Sequence, residues 1–159
     1  MIFLQSYEYF LIFKEKCVII SLFICRFFRN FAKNYTMENQ FNYVTNLDIK
    51  FPHLEKIDIP KLVEECKDKW FNQTLTQAND SVVRLGIVEG EYHWHKHEQD
   101  DEFFFVLSGK LLIDLEDQTI ELNPNQGVTI TKGVMHRPRA PQKTVMLMVE
   151  TASIQPTGN

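Results

Sequence analysis

Between Ser81 and Glu150 the sequence consists of short runs of β-branched, leucine and aromatic residues, and no other feature restricts the fold as strongly. Seven runs have strand length: SVVRLGIV, YHWHKH, EFFFVLS, KLLIDL, QTIEL, GVTIT and VMLMVE. Turn-forming residues separate them, at SGK, EDQ, NPNQ, TKG and RPRAPQ. This regular spacing, with no helical pattern between the runs, predicts an antiparallel sandwich or a closed barrel.

A short helix is predicted ahead of these strands, in DIPKLVEECKDKW. Asp58 can cap its N-terminus, and Pro60 suits the first turn because no helical partner for a backbone N–H is needed there. Apolar side chains follow at helical spacing, at Leu62, Val63, Cys66 and Trp70. Cys66 on this face is interpreted as a small buried hydrophobe rather than a nucleophile.

Composition argues against several classes of protein. The 159 residues, of which 44% are hydrophobic, are enough for one domain with its own core. A net charge of −4 and the lack of a lysine or arginine run argue against a nucleic-acid partner. Three cysteines without CxxC spacing favour neither a disulfide framework nor a thiolate zinc site, so a reducing cytoplasm is the expected location.

Residues 1–36 differ in composition from the rest of the chain. They hold seven of the thirteen phenylalanines, and five basic residues against two acidic ones. Their apolar core, CVIISLFIC, has nine residues, whereas a bilayer span needs about 20, so a membrane-spanning helix is not expected. The poor cleavage site that follows argues against a signal peptide. We expect the natural protein to begin at Met37, with an upstream extension before it; the alternative is a membrane-surface or targeting tail.

Three histidines alternate in HWHKHEQDDEFFFVLSG. Because side chains alternate along a strand, His93, His95 and His97 would face one side, at Cα spacings of roughly 7 Å that let two imidazoles chelate one metal. Glu102 opens the next predicted strand and could add a carboxylate, and His136 could add a ligand from a neighbouring strand. Histidines that are solvated or hydrogen-bonded are the alternative.

Two stretches resemble the motifs of the cupin superfamily. The stretch 95–109, with HKH, E after four residues and G after six more, is similar to the first motif. LNPNQGVTITKGVMHRP resembles the second motif, with its histidine at His136. Departures from the usual pattern concern turn geometry and fall at Gly90, Asn125, Thr131 and Ala140. The likeness covers about 81–150, and VETASIQPTGN is similar to the tail of small single-domain bacterial cupins.

The resemblance implies a mainly β fold, a cupin-type jelly-roll β-barrel with a short N-terminal helix. The barrel would occupy 81–155, and 37–80 would form an N-terminal arm that contains the helix. One divalent metal is also implied, with His95, His97, Glu102 and His136 as its ligands. Three imidazoles and a carboxylate suit Fe, Mn, Zn, Ni or Cu, and the ligand types alone do not choose among these metals.

The implied function is that of a small metal-binding protein acting on a small molecule, with isomerase-type or dioxygenase-type chemistry. A cytoplasmic homodimer is expected, with neither a membrane nor a nucleic-acid partner. The alternative belongs to another class: a non-catalytic barrel that binds or senses a small molecule or a metal. The fold does not decide between them, because function depends on the lining of the site.

Two further residues are candidates for the site. The family pattern does not require His93, but alternation places it on the interior face, where it could carry a proton in catalysis; a packed histidine is the alternative. Arg84 alternates with apolar neighbours in SVVRLGIV. Facing the interior, it could bind an anionic substrate, whereas an ion-paired or partner-facing arginine is the favoured alternative.

Overall fold

The computed structural model of the protein describes residues 43–158, which are mainly β with one short helix. The predicted extension over 1–36 and the predicted start at Met37 lie outside these described residues. No helix within 43–158 is long and apolar enough to cross a membrane.

Eight strands and one helix make up the described part of the chain. In chain order they are β1 (Val44–Asn46), α1 (Ile59–Glu65), β2 (Trp70–Ala78), β3 (Ser81–Glu91), β4 (Glu102–Ser108), β5 (Leu111–Asp114), β6 (Thr119–Leu122), β7 (Gly127–Ile130) and β8 (Arg137–Thr151). Asp58 caps α1 by accepting a hydrogen bond from Lys61 N, as predicted. The helix ends at Glu65, so Trp70, expected on its apolar face, instead begins β2.

The strands form one sheet in the order β1-β2-β3-β8-β4-β7, and β5 pairs with both β8 and β6. Every pairing is antiparallel except that of β1 with β2. The predicted mainly β fold is therefore confirmed. Closure into a barrel is not: over residues 43–158 no hydrogen-bonded pairing joins β7 back to β1. Both edge strands are short, and β5 leaves the main path to pair with β8.

The longest strand, β8, changes partner along its length. Its first part pairs with β5, as Pro138 does with Ile113, and its second part pairs with β4, as Val149 does with Phe103. The stretch between these parts, 141–143, is exposed, and a register shift lies opposite it in β3. The turn predicted at RPRAPQ is therefore wrong, since this stretch is part of β8. Its prolines are tolerated because the strand bends there and its backbone ladder is interrupted.

Successive side chains of β3 point alternately into two different buried clusters. Leu85 and Ile87 belong to a buried cluster that also contains Leu62 of α1, and Cys66 packs against that cluster, as expected. On the other face of β3, Val88 joins a second cluster. Arg84 shares the face of Val88 by spacing, which points it away from the helix. A helix therefore covers one face of β3, and the other face is left for polar residues.

A substitution at Gly109, between β4 and β5, would test how tightly this turn packs against the bend of β8. Its φ is +85°, and a Cβ there would lie 2.5 Å from Thr144 Oγ1 and 2.6 Å from Lys143 O. Gly109→Ala should lower the free energy of unfolding by about 2–4 kcal/mol, because left-handed strain adds to a backbone clash. Urea unfolding measures this change.

Gly133→Ala is the matched control for that substitution. Its φ is +80°, but nothing lies within 4 Å of the added Cβ, so only the strain of about 1–2 kcal/mol should appear. Equal losses for the two variants would contradict the tight packing inferred at the bend.

Candidate metal centre

The structure brings together the four residues predicted as metal ligands. His95, His97, Glu102 and His136 are all buried. One side-chain nitrogen or oxygen of each lies within 4.8 Å of the corresponding atoms of the other three. The Nε2 atoms of His136 and His97 are 3.3 and 3.4 Å from Glu102 Oε2. This group could therefore hold a metal ion.

The histidine stretch reaches the site without forming the strand predicted for YHWHKH. Only one bridge is present, in which His95 N donates to His136 O at 3.0 Å and His136 N donates to His95 O at 2.9 Å. Gly133 N also donates to His97 O at 2.7 Å. A few backbone hydrogen bonds to the loop before β8 thus replace a full β-ladder. They place His95 directly beside His136.

Backbone carbonyls fix the rings of two histidines. His95 Nδ1 lies 3.2 Å from His93 O, and His136 Nδ1 lies 3.0 Å from Val134 O. A carbonyl oxygen only accepts, so each Nδ1 carries the proton and, in the neutral ring, leaves the Nε2 lone pair for a ligand bond. The lone pair of His136 then faces the Glu102 carboxylate, which is repulsive unless a proton or a cation lies between them.

His97 is the clearest sign that the donor set suits a cation. Both of its ring nitrogens are buried, and neither has a hydrogen-bond partner among the described residues. Leaving a buried nitrogen unpaired costs about 1–3 kcal/mol. Coordination would satisfy one of these nitrogens at the point where the other three ligand atoms converge.

The charge states also suit a metal. Burial, reinforced by the electrostatic effect of the neighbouring His136 imidazole, lowers the pKa of His95 to about 3. Burial acts to raise the pKa of Glu102, but hydrogen bonding to His136 and the close approach of His97 outweigh it, so the net shift is downward. At neutral pH the group therefore offers a neutral imidazole at His95 and an ionised carboxylate, which is the form in which both residues bind metals.

A cavity of about 30 Å3 adjoins His95 and Glu102. Its apolar wall is formed by Trp70, Tyr92, Phe104, Pro138, Met146, Met148 and Pro156. Its polar residues are Asn72, Arg84 and Glu150. A mostly apolar cavity with a few convergent polar groups is typical of small-molecule sites.

Arg84 lines this cavity and is also ion-paired, as the favoured alternative expects; its binding of an anionic substrate stays a prediction. Its Nε is 2.8 Å from Glu150 Oε1, and both side chains are buried. Burial and then the neighbouring Glu102 charge raise the pKa of Glu150 to about 8. Sequence reasoning missed Glu150, although a glutamate that ends the apolar run VMLMVE is a signal that could have identified it.

His93 lies outside the four-residue group. Its ring centroid is 4.2 Å from that of Tyr92 and 5.3 Å from that of His95, and its Nε2 lies 3.0 Å from Thr157 O. The residue is half-buried. Its predicted role in catalysis stays a prediction.

The C-terminal segment borders the site. Tyr92 Oη donates to Pro156 O at 3.1 Å, and Pro156 lines the cavity. A Cβ on Gly158 would lie 2.8 Å from His95 Cβ, so this glycine permits a close approach to the histidine stretch. Pro156 therefore forms part of the cavity wall, and Gly158 lies against the histidine stretch.

A β-sheet fold with a buried His-His-Glu-His group defines the cupin class, and residues 83–151 match the Cupin_2 family model, a cupin domain. The chain belongs to the cupin family. It is 44% identical over 90 residues, 56% of this chain and 80% of the relative, to the uncharacterized protein YdbB of Bacillus subtilis (strain 168).

Solved structures agree with this assignment. A cupin-2 domain containing protein from Shewanella frigidimarina is 33% identical, with a TM-score of 0.57, covering 60% of this chain and 93% of its own. Protein NMB1881 from Neisseria meningitidis, at 22% identity and a TM-score of 0.55, covers 61% of this chain and 99% of its own, and supports the fold alone.

The pKa of His95 leads to a prediction about acid stability. Because the pKa is about 3 in the folded protein against 6.5 ordinarily, the unfolded chain binds the proton first as the pH falls. The stabilisation that His95 gives the metal-free protein by staying neutral should therefore be fully present above about pH 6.5 and be lost toward pH 3, by a few kcal/mol. Urea unfolding across this pH range measures the loss.

His95→Asn should remove this contribution to the pH dependence, because it removes the titrating ring. His53→Gln, a substitution at an exposed histidine outside the site, is the control and should keep the pH dependence of the parent. A parent protein whose stability changes between pH 6.5 and 4 by the same amount as that of His95→Asn would show that His95 protonates freely in the folded state.

Proposed function

We propose that His95, His97, Glu102 and His136 bind one divalent transition metal, and that this centre acts on a small molecule. The observation that carries the proposal is the convergence of four buried donors, one of which, His97, has no hydrogen-bond partner among the described residues. Such a set costs free energy without a cation and is satisfied by one.

The chain's own residues would divide the work at this centre. A bound metal would supply Lewis acidity or oxygen activation, consistent with isomerase-type or dioxygenase-type chemistry. The carbonyls of His93 and Val134 hold two imidazoles in the tautomer that can bind. Glu102 lowers the net positive charge of the centre. The aromatic wall beside His95 keeps bulk water from the cavity.

The metal is one of Fe, Mn, Zn, Ni or Cu. Three imidazole nitrogens and one carboxylate oxygen suit all five. The affinities of these metals follow the same order at most sites with such ligands, so the ligand set does not select one of them. Iron would favour the dioxygenase-type reaction, whereas zinc or manganese would favour isomerisation. His93 is the candidate proton carrier in either reaction.

A non-catalytic binding or sensing protein is the second candidate. The small size of the cavity, about 30 Å3, favours it, because a volume that holds about one water molecule leaves little room for a substrate beside the metal. The same four ligands would hold the metal in this case.

We also propose that the protein is a cytoplasmic homodimer. Phe103 and Phe105 lie on the face of β4 opposite the buried Phe104, are half-buried and have ring centroids 6.3 Å apart. A partly exposed aromatic pair favours a protein contact. Light scattering after size exclusion should give about twice the monomer mass of 18.8 kDa; a monomer at all concentrations would contradict it.

The metal site has a direct test by elemental analysis. Untagged protein should carry about one equivalent of a single transition metal. The double variant His95→Ala/His97→Ala should lose nearly all of it, because two of the four ligands are removed. His53→Ala and His93→Ala are matched controls, since both remove a histidine outside the four-residue group, and should keep the metal.

Metal retained in the double variant, or none in the parent after reconstitution, would contradict the proposed centre. With metal present, oxygen uptake and isomerase assays distinguish the enzyme from the binding protein. Absence of turnover with tight ligand binding would favour the second candidate.

A further inference from the structure

Three buried polar side chains lie next to one another on β2 and β3, and each has one polar atom without a hydrogen-bond partner among the described residues. Asn72 Oδ1, Thr74 Oγ1 and Arg84 Nη1 are buried and make no hydrogen bond among the described residues. Thr74 is paired with Arg84 across the two strands, and Asn72 is paired with Gly86 two residues further along. Residues opposite one another share a face of the sheet. The three side chains therefore form one polar patch.

Arg84 lies where two cavities meet. The inner cavity is lined by Asn72 and Arg84 together with His95 and Glu102 of the candidate centre. A second cavity, of about 300 Å3, is lined by Thr74 and Arg84. Its apolar lining includes Leu47, Ile49, Val82 and Ile154. Leu47 and Ile49 are exposed, so this second cavity leads from the surface to the guanidinium.

The charges of these residues favour a ligand with one negative charge. Glu150 is the counter-ion of Arg84 in its ionised form, since its Oε1 lies 2.8 Å from Arg84 Nε. Glu102 offsets one charge of a divalent ion, so one positive charge is left. A dianion such as a phosphate monoester would meet two carboxylates and an excess of negative charge. A guanidinium flanked by a hydroxyl and an amide is a suitable set of donors for one carboxylate.

The walls limit the rest of the ligand to a short apolar body. The inner cavity of about 30 Å3 holds about one water molecule as it stands. Met146 and Met148 form part of its wall, and methionine side chains repack readily around a ligand. Gly86 leaves room for Met146, because a Cβ there would lie 2.7 Å from its Cε.

We infer that Arg84, Thr74 and Asn72 form a carboxylate-binding subsite, and that the protein takes a small monocarboxylic acid. Arg84 Nη1 and Thr74 Oγ1 donate to the carboxylate, and the Asn72 amide donates after a half-turn of its end group. This inference rests on the proposed function for the single positive charge left beside the metal and for the far end of the ligand, which reaches the metal; the subsite itself consists of protein groups.

Propionate and propionamide are the probes, since they have the same shape and differ in charge. Isotope-labelled probes are titrated by NMR into the full chain, both loaded with Zn(II) and metal-free. Propionate should bind at least about tenfold more tightly than propionamide, as expected for charge-assisted hydrogen bonds. The preference should persist in the metal-free protein, where only the subsite can produce it, but it should be smaller there because the charge of Glu102 is then uncompensated.

Thr74→Val is the main variant, because it removes one hydroxyl and keeps the shape. It should weaken propionate binding about three- to tenfold, the effect of one lost hydrogen bond. Thr76→Val, on the same strand but lining neither cavity, is the matched control and should change affinity less than about twofold. Arg84→Met/Glu150→Leu removes the ion pair as a unit and should abolish the preference for the anion.

Equal binding of the two probes, or unchanged propionate affinity in Thr74→Val, would overturn the subsite. So would propionate binding that needs Zn(II) and is the same in every variant, because the acid would then contact the metal alone. Failure to bind Zn(II) would instead count against the proposed metal centre, and the metal-free titration would still decide the subsite. If the double variant does not fold, the amide comparison and Thr74→Val remain decisive.

Discussion

The hydrogen bonds of β8 hold this fold together, because they join it to three other strands. β3 runs antiparallel to β8 over most of its length, while β5 and β4 occupy its other side in succession. His136 immediately precedes β8, and Glu150 lies near its end. One strand therefore places a candidate metal ligand at one end and a buried carboxylate at the other. Disturbing the bend of β8 would affect both.

The interior of this small domain contains more charge than packing alone requires. Arg84, Glu102 and Glu150 are buried, together with three of the histidines. Removing each ion from water costs several kcal/mol after relaxation. Groups with shifted pKa values that share one cavity are typical of functional sites rather than of structural cores. The buried charges and the unpartnered atoms around them support the proposed metal and ligand.

The two faces of β3 show how one strand serves both stability and function. Leu85 and Ile87 pack under α1 in an apolar cluster, and no polar group is needed there. The opposite face carries Arg84 and Gly86, which border the cavity or leave room for its wall. The helix shields the first face from water. The second face can accept polar side chains because the cavity lies against it.

The sequence by itself determined the β-rich character of the domain, the helix begun by Asp58 and the set of four candidate ligands. These are local properties: strand propensity, capping and the spacing of histidines around Glu102. Only the tertiary structure decided that β2 joins the sheet, that YHWHKH forms a single bridge and that RPRAPQ continues a strand. Each depends on a distant partner, since a ladder forms only where another strand offers its hydrogen bonds. The cavity that unites Arg84, Asn72 and Glu150 with the ligands likewise comes from strands far apart in the chain.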